Sequence, residues 1–231
     1  MFWPVRCPLF AKQREGDLLM NYVLARTADS LDQVYRLRYR CYRRNQSISE
    51  RSDERFPDHF DEMPNHFSFL AGGAETEAMA TVRLSVVHPD RAGWCDSPGA
   101  RVFGDHPAFG AIRSYVEASR LCFGLQARRD VFIGLLGNMA ALADYYQVDW
   151  LVACPRVEHV PVYEKLFGFE QLAAPRQYFG VTFETQLLGV RMDQLAENVK
   201  DRKVMRVAWL NALAYLQRAL DGPAGSVATA V

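Results

Sequence analysis

The chain has 231 residues, enough for one well-buried domain, and its 27 Lys+Arg balance 27 Asp+Glu, so no net field draws it to nucleic acid or an anionic membrane. No run of 18 apolar residues occurs, and Met1 to Tyr22 is broken by Pro4, Arg6, Pro8, Lys12, Arg14, Glu15 and Asp17; neither a membrane span nor a leader is expected, and the expected location is cytoplasmic. The five cysteines (Cys7, Cys41, Cys95, Cys122, Cys154) lack C-x-x-C spacing, and the five histidines (His59, His66, His88, His106, His159) lack ligand spacing, so reduced, mostly buried thiols and no metal are expected.

In chain order, Met20 to Arg26 reads as a first strand. Ser30-Leu-Asp-Gln33 has the S-x-x-Q spacing of a capping box and predicts a helix over 31–44, with Leu31, Val34, Leu37 or Arg38, and Cys41 or Tyr42 turned inward and Arg36, Arg40, Arg43 and Arg44 in water. After a polar stretch, His66 to Ala71 and Met79 to Val87 read as a hairpin through Gly72-Gly73. The loop over 88–111 is long for a compact domain and reads as a lid or binding segment. Tyr115 to Phe123 is the next strand, followed by an apolar helix over 131–146. Asp149 to Pro155 is apolar without alternation, which suits a strand buried on both faces and parallel to its predecessor through the helical crossover. A short helix ends with Gly168 as its C-cap and leads to a strand near Glu170 to Ala173. Val181 to Val190 reads as one long closing strand, and Met205, Trp209, Leu213, Leu216 and Leu220 as the apolar stripe of a last helix. The organisation expected is an N-terminal extension (1–19), a main α/β domain (20–193), an amphipathic helix (194–221) and a flexible tail (222–231). Docking of that helix on the domain is favoured over dimerisation or peripheral membrane contact.

Two groups of residues carry a resemblance. Val162-Tyr163-Glu-Lys-Leu-Phe-Gly168-Phe169 is similar to the Y-x-x-x-G-F signature of GNAT acyltransferases, with one extra residue before the glycine. Arg38 with Tyr42 four residues on, Asp58 and Asp61 as D-x-x-D, Arg83, and Glu117-Ala-Ser119-Arg120 as E-x-S-R occur in the order seen in the acyl-homoserine-lactone synthases and their relatives, the N-acyl amino acid synthases. The resemblance covers roughly residues 20 to 190. Gln46 to Arg51 lacks the tryptophan usual in the lactone synthases, which disfavours their methionine-derived cosubstrate. The resemblance implies an α/β (layered α+β) GNAT-like fold, a mixed central sheet flanked by helices, with an extra C-terminal helix. It also implies transfer of a long fatty acyl chain from acyl carrier protein to the α-amine of an amino acid, tyrosine-like by preference. An acyl-homoserine-lactone synthase and a non-catalytic sensor of acyl carrier protein remain as alternatives.

Acyl transfer from a thioester to an amine needs a neutral amine, a proton acceptor and donors aimed at the developing oxyanion. Glu117, Ser119 and Arg120 are the candidate catalytic residues, with Glu117 as the proton acceptor, because a carboxylate between Val116 and Leu121 is costly unless used; an orienting role would put it in the same place. Arg38, Tyr42, Asp58, Asp61 and Arg83 are the candidate substrate-binding residues. The arginines are expected to balance Asp58, Asp61 and Glu117 in one cluster, an unpaired arginine being the natural clamp for an amino acid's carboxylate. Strict alternation would put Glu117 and Arg120 on opposite faces, and a β-bulge near Ala118 or Ser119 is expected to bring them together. Leu121, Cys122, Phe123, Arg128 and Arg129 are the candidate contacts for acyl-phosphopantetheine and its carrier. The segment 123–130 lacks a glycine-rich pyrophosphate loop, which favours a carrier protein over coenzyme A without excluding acyl-CoA. No permanently bound cofactor is expected. Phe132, Leu135, Leu136 and Met139, facing Leu151 to Cys154, would line an acyl tunnel or simply form core.

Overall fold

The computed structural model describes residues 22–72, 78–127, 129–178 and 180–221, the side chain of Arg129 excepted. The expected terminal extension and tail, and Gly73 of the hairpin turn, lie outside these residues. The chain forms β1 (Tyr22–Leu24), α1 (Ala28–Arg44), β2 (His66–Ala71), β3 (Ala80–Val87), α2 (Pro98–Phe103), α3 (Pro107–Gly110), β4 (Tyr115–Phe123), α4 (Arg129–Tyr146) and β5 (Trp150–Ala153). It continues through α5 (Val160–Phe167), β6 (Glu170–Gln171), β7 (Arg176–Gln177), β8 (Glu184–Thr185), β9 (Leu188–Arg191), α6 (Met192–Val199) and α7 (Lys203–Asp221).

Seven strands make one mixed sheet in the order β1-β2-β3-β4-β5-β9-β6. Every neighbouring pair is antiparallel except β4 and β5, which the α4 crossover makes parallel. This is the mixed GNAT-like sheet that the order of elements implies. The β4–β5 ladder runs from Tyr115↔Trp150 to Ala118↔Ala153 and stops there, although β4 continues to Phe123. Pro155 follows shortly and has no N–H to extend a ladder.

Alternation sorts the sheet into two faces. Phe69, Val82, Leu84, Val86, Val116, Ala118, Leu151, Ala153, Leu188 and Val190 join Val131, Leu135, Met139 and Leu142 of α4 in the main core. Each fully buried Val, Leu, Phe or Met among them contributes about 1.5–3 kcal/mol. The opposite face carries Ser68, Thr81, Arg83, Ser85, Glu117 and Ser119, all buried, beneath α1 and the polar loops. α7 lies along α4: Leu216 is fully buried, Trp209 Nε1 donates to Asp144 Oδ2 at 3.0 Å, and the Tyr215 hydroxyl accepts the Leu24 N–H at 3.0 Å. Among the described residues no helix is long and apolar enough to cross a membrane.

Several expectations need correction. The cap of α1 is Thr27, whose Oγ1 accepts the Ser30 N–H at 3.2 Å while Ser30 Oγ accepts the Thr27 N–H at 3.0 Å. The helix therefore begins a turn before Leu31, because serine at the third helical position returns the bond that Gln33 was expected to make. The single closing strand over 181–190 is broken. Thr185 pairs with β7, whereas Leu188 to Arg191 pair with β5, and between them Gln186 turns its N–H to the Pro155 carbonyl at 3.0 Å. The 194–221 segment is two helices, α6 and α7, meeting at Lys200 to Arg202. The strand expected over 170–173 has only two residues in β6. The loop over 88–111 holds α2 and α3, each opened by a proline at its first positions. The bulge lies beyond Ser119: Arg83 pairs with Ser119 and Thr81 with Cys122, so Arg120 and Leu121 together oppose Val82.

Candidate active site

Arg120, at φ 53°, is the residue that makes this bulge. Through it the side chains of Glu117, Ser119, Arg120 and Cys122 all lie on the polar face, while Leu121 and Phe123 pack with the main core. Strict alternation would have sent Arg120 into the apolar layer.

The D-x-x-D pair is a capping box: Asp58 caps a short turn over His59–Glu62, Asp58 Oδ1 accepts the Phe60 N–H, and Asp61 Oδ2 accepts the Asp58 N–H, each at 3.0 Å. The outward sides of the same carboxylates take the arginines. Arg38 Nη1 donates to both oxygens of Asp61 at 2.8 and 2.9 Å, and its Nη2 donates to Ser68 Oγ at 2.9 Å. Arg83 Nη1 donates to Asp58 Oδ1 at 2.5 Å and lies 3.3 Å from Asp61, while its Nε donates to Ser119 Oγ at 3.1 Å. Arg120 reaches Asp58 Oδ2 through Nε at 3.1 Å and Nη2 at 2.8 Å. Burial works against ionised Asp58, but Arg83 and Arg120 overcome it and hold its pKa well below the carboxylate range. Burial likewise disfavours charged Arg120; Tyr42 and Asp58 outweigh it, and its pKa is raised. In Arg38, burial prevails over Asp61, and the pKa is lowered.

Three guanidiniums thus share two carboxylates. Arg38 Nε, Arg83 Nη2 and Arg120 Nη1 are buried and have no partner among the described residues. The Arg120 guanidinium lies 5.4 Å from the Tyr42 ring centre and 4.6 Å from that of Phe56. Tyr42 and Phe56 are 5.1 Å apart, Phe183 stacks on Tyr42 at 6.3 Å, and the Phe183 ring also faces Arg156 at 4.6 Å. All three rings are half-buried.

Glu117 does not join this cluster as expected. Its carboxylate turns to the start of α2, where the Gly99 N–H donates to Oε1 at 3.0 Å and Oε2 at 2.8 Å. It is fully buried, and burial pushes its pKa up to about 7; Asp96 adds to the rise, while Ser97, the Gly99 N–H and Arg83 oppose it. Glu117 sits one residue before the point where β4 and β5 part, and the half-buried Cys154 lies just past the last β5 pair. Its charge pushes the Cys154 thiol and the Tyr178 phenol further above their ordinary pKa ranges, in the direction burial already drives them.

Of the residues assigned to the donor arm, Leu121, Cys122 and Phe123 line the end of β4, and the Phe123 carbonyl accepts from Arg44 Nη2 at 3.0 Å. Arg128 and the side chain of Arg129 lie outside the described residues. Leu125 in the same loop is 79% exposed. Leu136, Met139 and Leu151 border a narrow cavity of about 20 Å³, closed by Phe167, Phe169 and Trp209, whereas Phe132 packs against Phe123, Tyr163 and Phe167. Among the described residues no group of His, Cys, Asp or Glu could hold a metal. The motifs missed Ser97, Gly99, Phe56, Cys154 and Tyr178. Only Ser97-Pro98-Gly99 had a legible signal, the cap-then-proline start of a helix.

The family model of the N-acyl amino acid synthase FeeM matches residues 33–191. Among solved structures, FeeM from uncultured soil microbes superposes with a TM-score of 0.63 at 14% identity, covering 78% of this chain and 94% of that one. The coenzyme A-dependent acyl-homoserine lactone synthase BjaI gives 0.57 at 17% identity, covering 83% and 98%. The acyl-homoserine lactone synthase LasI gives 0.59 at 10% identity, covering 79% and 96%. No curated protein matches the chain. The matched span contains every family-like motif from Arg38 to Arg120 and the strands that carry them, and the chain belongs to the FeeM N-acyl amino acid synthase family, acyltransferases acting on an amine.

Proposed function

We propose that the protein moves a long-chain fatty acyl group from acyl carrier protein to the α-amine of an amino acid, with a tyrosine-like acceptor preferred. The observation that carries this reading is Arg120: a buried guanidinium whose Nη1 has no partner among the described residues, set against the rings of Tyr42 and Phe56. A guanidinium so placed suits the acceptor's carboxylate, and the rings suit an aromatic side chain. The excess of arginine over carboxylate in the cluster supports an anionic acceptor for the same reason.

On this reading the thioester lies where β4 runs on beyond Ala118 without β5, and backbone groups freed by that parting receive pantetheine and polarise the carbonyl. The amine attacks the carbonyl carbon and its proton passes to Glu117, directly or through a water. The tetrahedral intermediate collapses, the C–S bond breaks, and the carrier's thiolate leaves and takes up a proton. A carboxylate with a pKa near 7 is well matched to accepting a proton at neutral pH. The exposed Leu125 and the arginine side of α1, at Arg40, Arg43 and Arg44, support an acidic carrier as donor.

Mass spectrometry of lipids formed by the purified protein from long-chain acyl carrier protein, all amino acids and S-adenosylmethionine tests the reading. The expected product has the mass of the acyl chain plus one amino acid and is suppressed in Glu117→Gln. A homoserine lactone, or binding of the donor without any product, overturns it.

A further inference from the structure

We propose that Gly99, in the long loop between β3 and β4, is the positioning residue for the Glu117 carboxylate: its N–H holds both oxygens, and its missing side chain leaves the space they occupy. The inference rests on the reading of Glu117 as proton acceptor and adds a residue that lies outside the family-like motifs.

The start of α2 leaves an N–H for the purpose. A helix begins with N–H groups that have no intrahelical partner. Ser97, the N-cap, takes the Ala100 N–H on its side chain at 3.2 Å and the Arg101 N–H on its carbonyl at 3.2 Å, and Pro98 has no N–H to offer. The Gly99 N–H is the one left over, and Glu117 takes it. The cap is itself anchored, since Ser97 Oγ hydrogen-bonds to the Tyr115 hydroxyl at 2.9 Å, two residues before Glu117 on the same strand. Glycine leaves room for this contact. A Cβ at Gly99 would stand 2.8 Å from Glu117 Oε2, 3.0 Å from its carboxyl carbon and 3.3 Å from Cys154 Sγ. Glu117 is fully buried, so an alanine must shift its carboxylate away from the N–H. The other groups facing Glu117 are Arg83 of β3, Asp96 and Ser97 ahead of α2, Tyr115 of β4, Cys154 after β5, and Tyr178 after β7. Of these, Arg83 is already engaged by Asp58 and Ser119, and the Ser97 hydroxyl assists from the same turn, while the Gly99 N–H is the donor that meets both carboxylate oxygens. An N–H donor favours the ionised form, so losing it moves the Glu117 titration upward.

The test is steady-state acyl transfer from hexadecanoyl acyl carrier protein to L-tyrosine across pH 5.5–9, for wild type, Gly99→Ala, Glu117→Gln and the double variant, with folding checked by thermal melting. Gly99→Ala is expected to lower kcat by about tenfold or more, to move the acid limb upward by about one pH unit, and to leave both KM values within about twofold. In the Glu117→Gln background it should lower kcat no further. An unchanged kcat and acid limb, or an equal loss with Gln at 117, overturns the proposal. Wild-type activity in Glu117→Gln sinks the proton-acceptor reading instead. Should Gly99→Ala not fold, Ser97→Ala frees the turn that presents this N–H and removes the hydroxyl beside Glu117, without adding volume. It must then move the acid limb in the same direction, and a fixed limb overturns the proposal.

Discussion

Asp58 and Arg120 meet edge to edge: one oxygen, Oδ2, accepts from Nε at 3.1 Å and from Nη2 at 2.8 Å, and the third guanidinium nitrogen, Nη1, has no partner among the described residues. The other Asp58 oxygen is held by Arg83 at 2.5 Å. A single residue of a polar loop therefore ties together the two inner strands that carry the arginines and decides which nitrogen is left for a ligand. The arrangement depends on the left-handed conformation of Arg120, which the bulge opposite Val82 imposes.

Replacing Arg120 by lysine keeps the charge and removes the fork. A lysine ammonium satisfied by Asp58 has no second planar donor pair for a carboxylate. Arg120→Lys is expected to raise the acceptor KM by roughly tenfold to a hundredfold, the value of a hydrogen bond to a charged group, with the donor KM unchanged. Initial-rate kinetics with acceptor and donor varied separately will show it.

Asp58→Ala should be costly to the fold. It leaves Arg83, fully buried, and Arg120, 5% exposed, short of their shared counter-ion. Breaking a buried pair from one side costs about 3–5 kcal/mol, and denaturant titration at pH 7 should show a loss of this size. The Asp58 carboxyl is held below its ordinary pKa, so its contribution is fully present above the unfolded carboxylate's pKa and disappears as pH falls through the lower folded value. Wild type should accordingly lose stability in acid in a step that Asp58→Ala lacks.

Glu117 has the opposite sign. Its folded pKa of about 7 is above the ordinary 4.5, so the fold favours the protonated acid. That stability is complete below about pH 4.5 and is lost as pH rises through 7, by about 3 kcal/mol in all. Glu117→Gln, permanently neutral, should be at least as stable as wild type at pH 8 while losing about a hundredfold or more in kcat. The wild-type kcat profile should have its acid limb near pH 7. Thermal melts at pH 5 and 8, run beside the rate profile, check both halves.

Leu216 of α7 is fully buried in the core. Leu216→Ala is expected to destabilise the whole protein by about 2–5 kcal/mol in a single unfolding transition, because α7 is packed as part of the domain. A separate low-temperature transition in the wild-type melt would show instead that the helix is an appendage.

Much of the fold was legible because its signals are local. The bounds of β2 and β4 follow from apolar runs between turn formers, and the unbroken Trp150 to Ala153 marks a parallel central strand. Gly168 ends α5 at φ 72°, where residues with a side chain are strained. The resemblance to the synthase family marked Arg38, Asp58, Asp61, Arg83 and Arg120 as a charged cluster, with no indication of who pairs with whom. Alternation alone put Arg120 on the wrong face, because a bulge is a property of two strands in register and leaves no periodic trace.

The sequence by itself determined the periodicities, the caps and the order of the motifs, which follow from neighbours along the chain. Tertiary structure alone decided that Glu117 leaves the arginines for the Gly99 N–H, that Arg120 Nη1 has no partner among the described residues, and that Val181 to Val190 divides between two sheets. Each of these outcomes is a choice among several acceptors or donors of the same kind. Such choices are settled by which groups burial brings within about 3 Å and deprives of water.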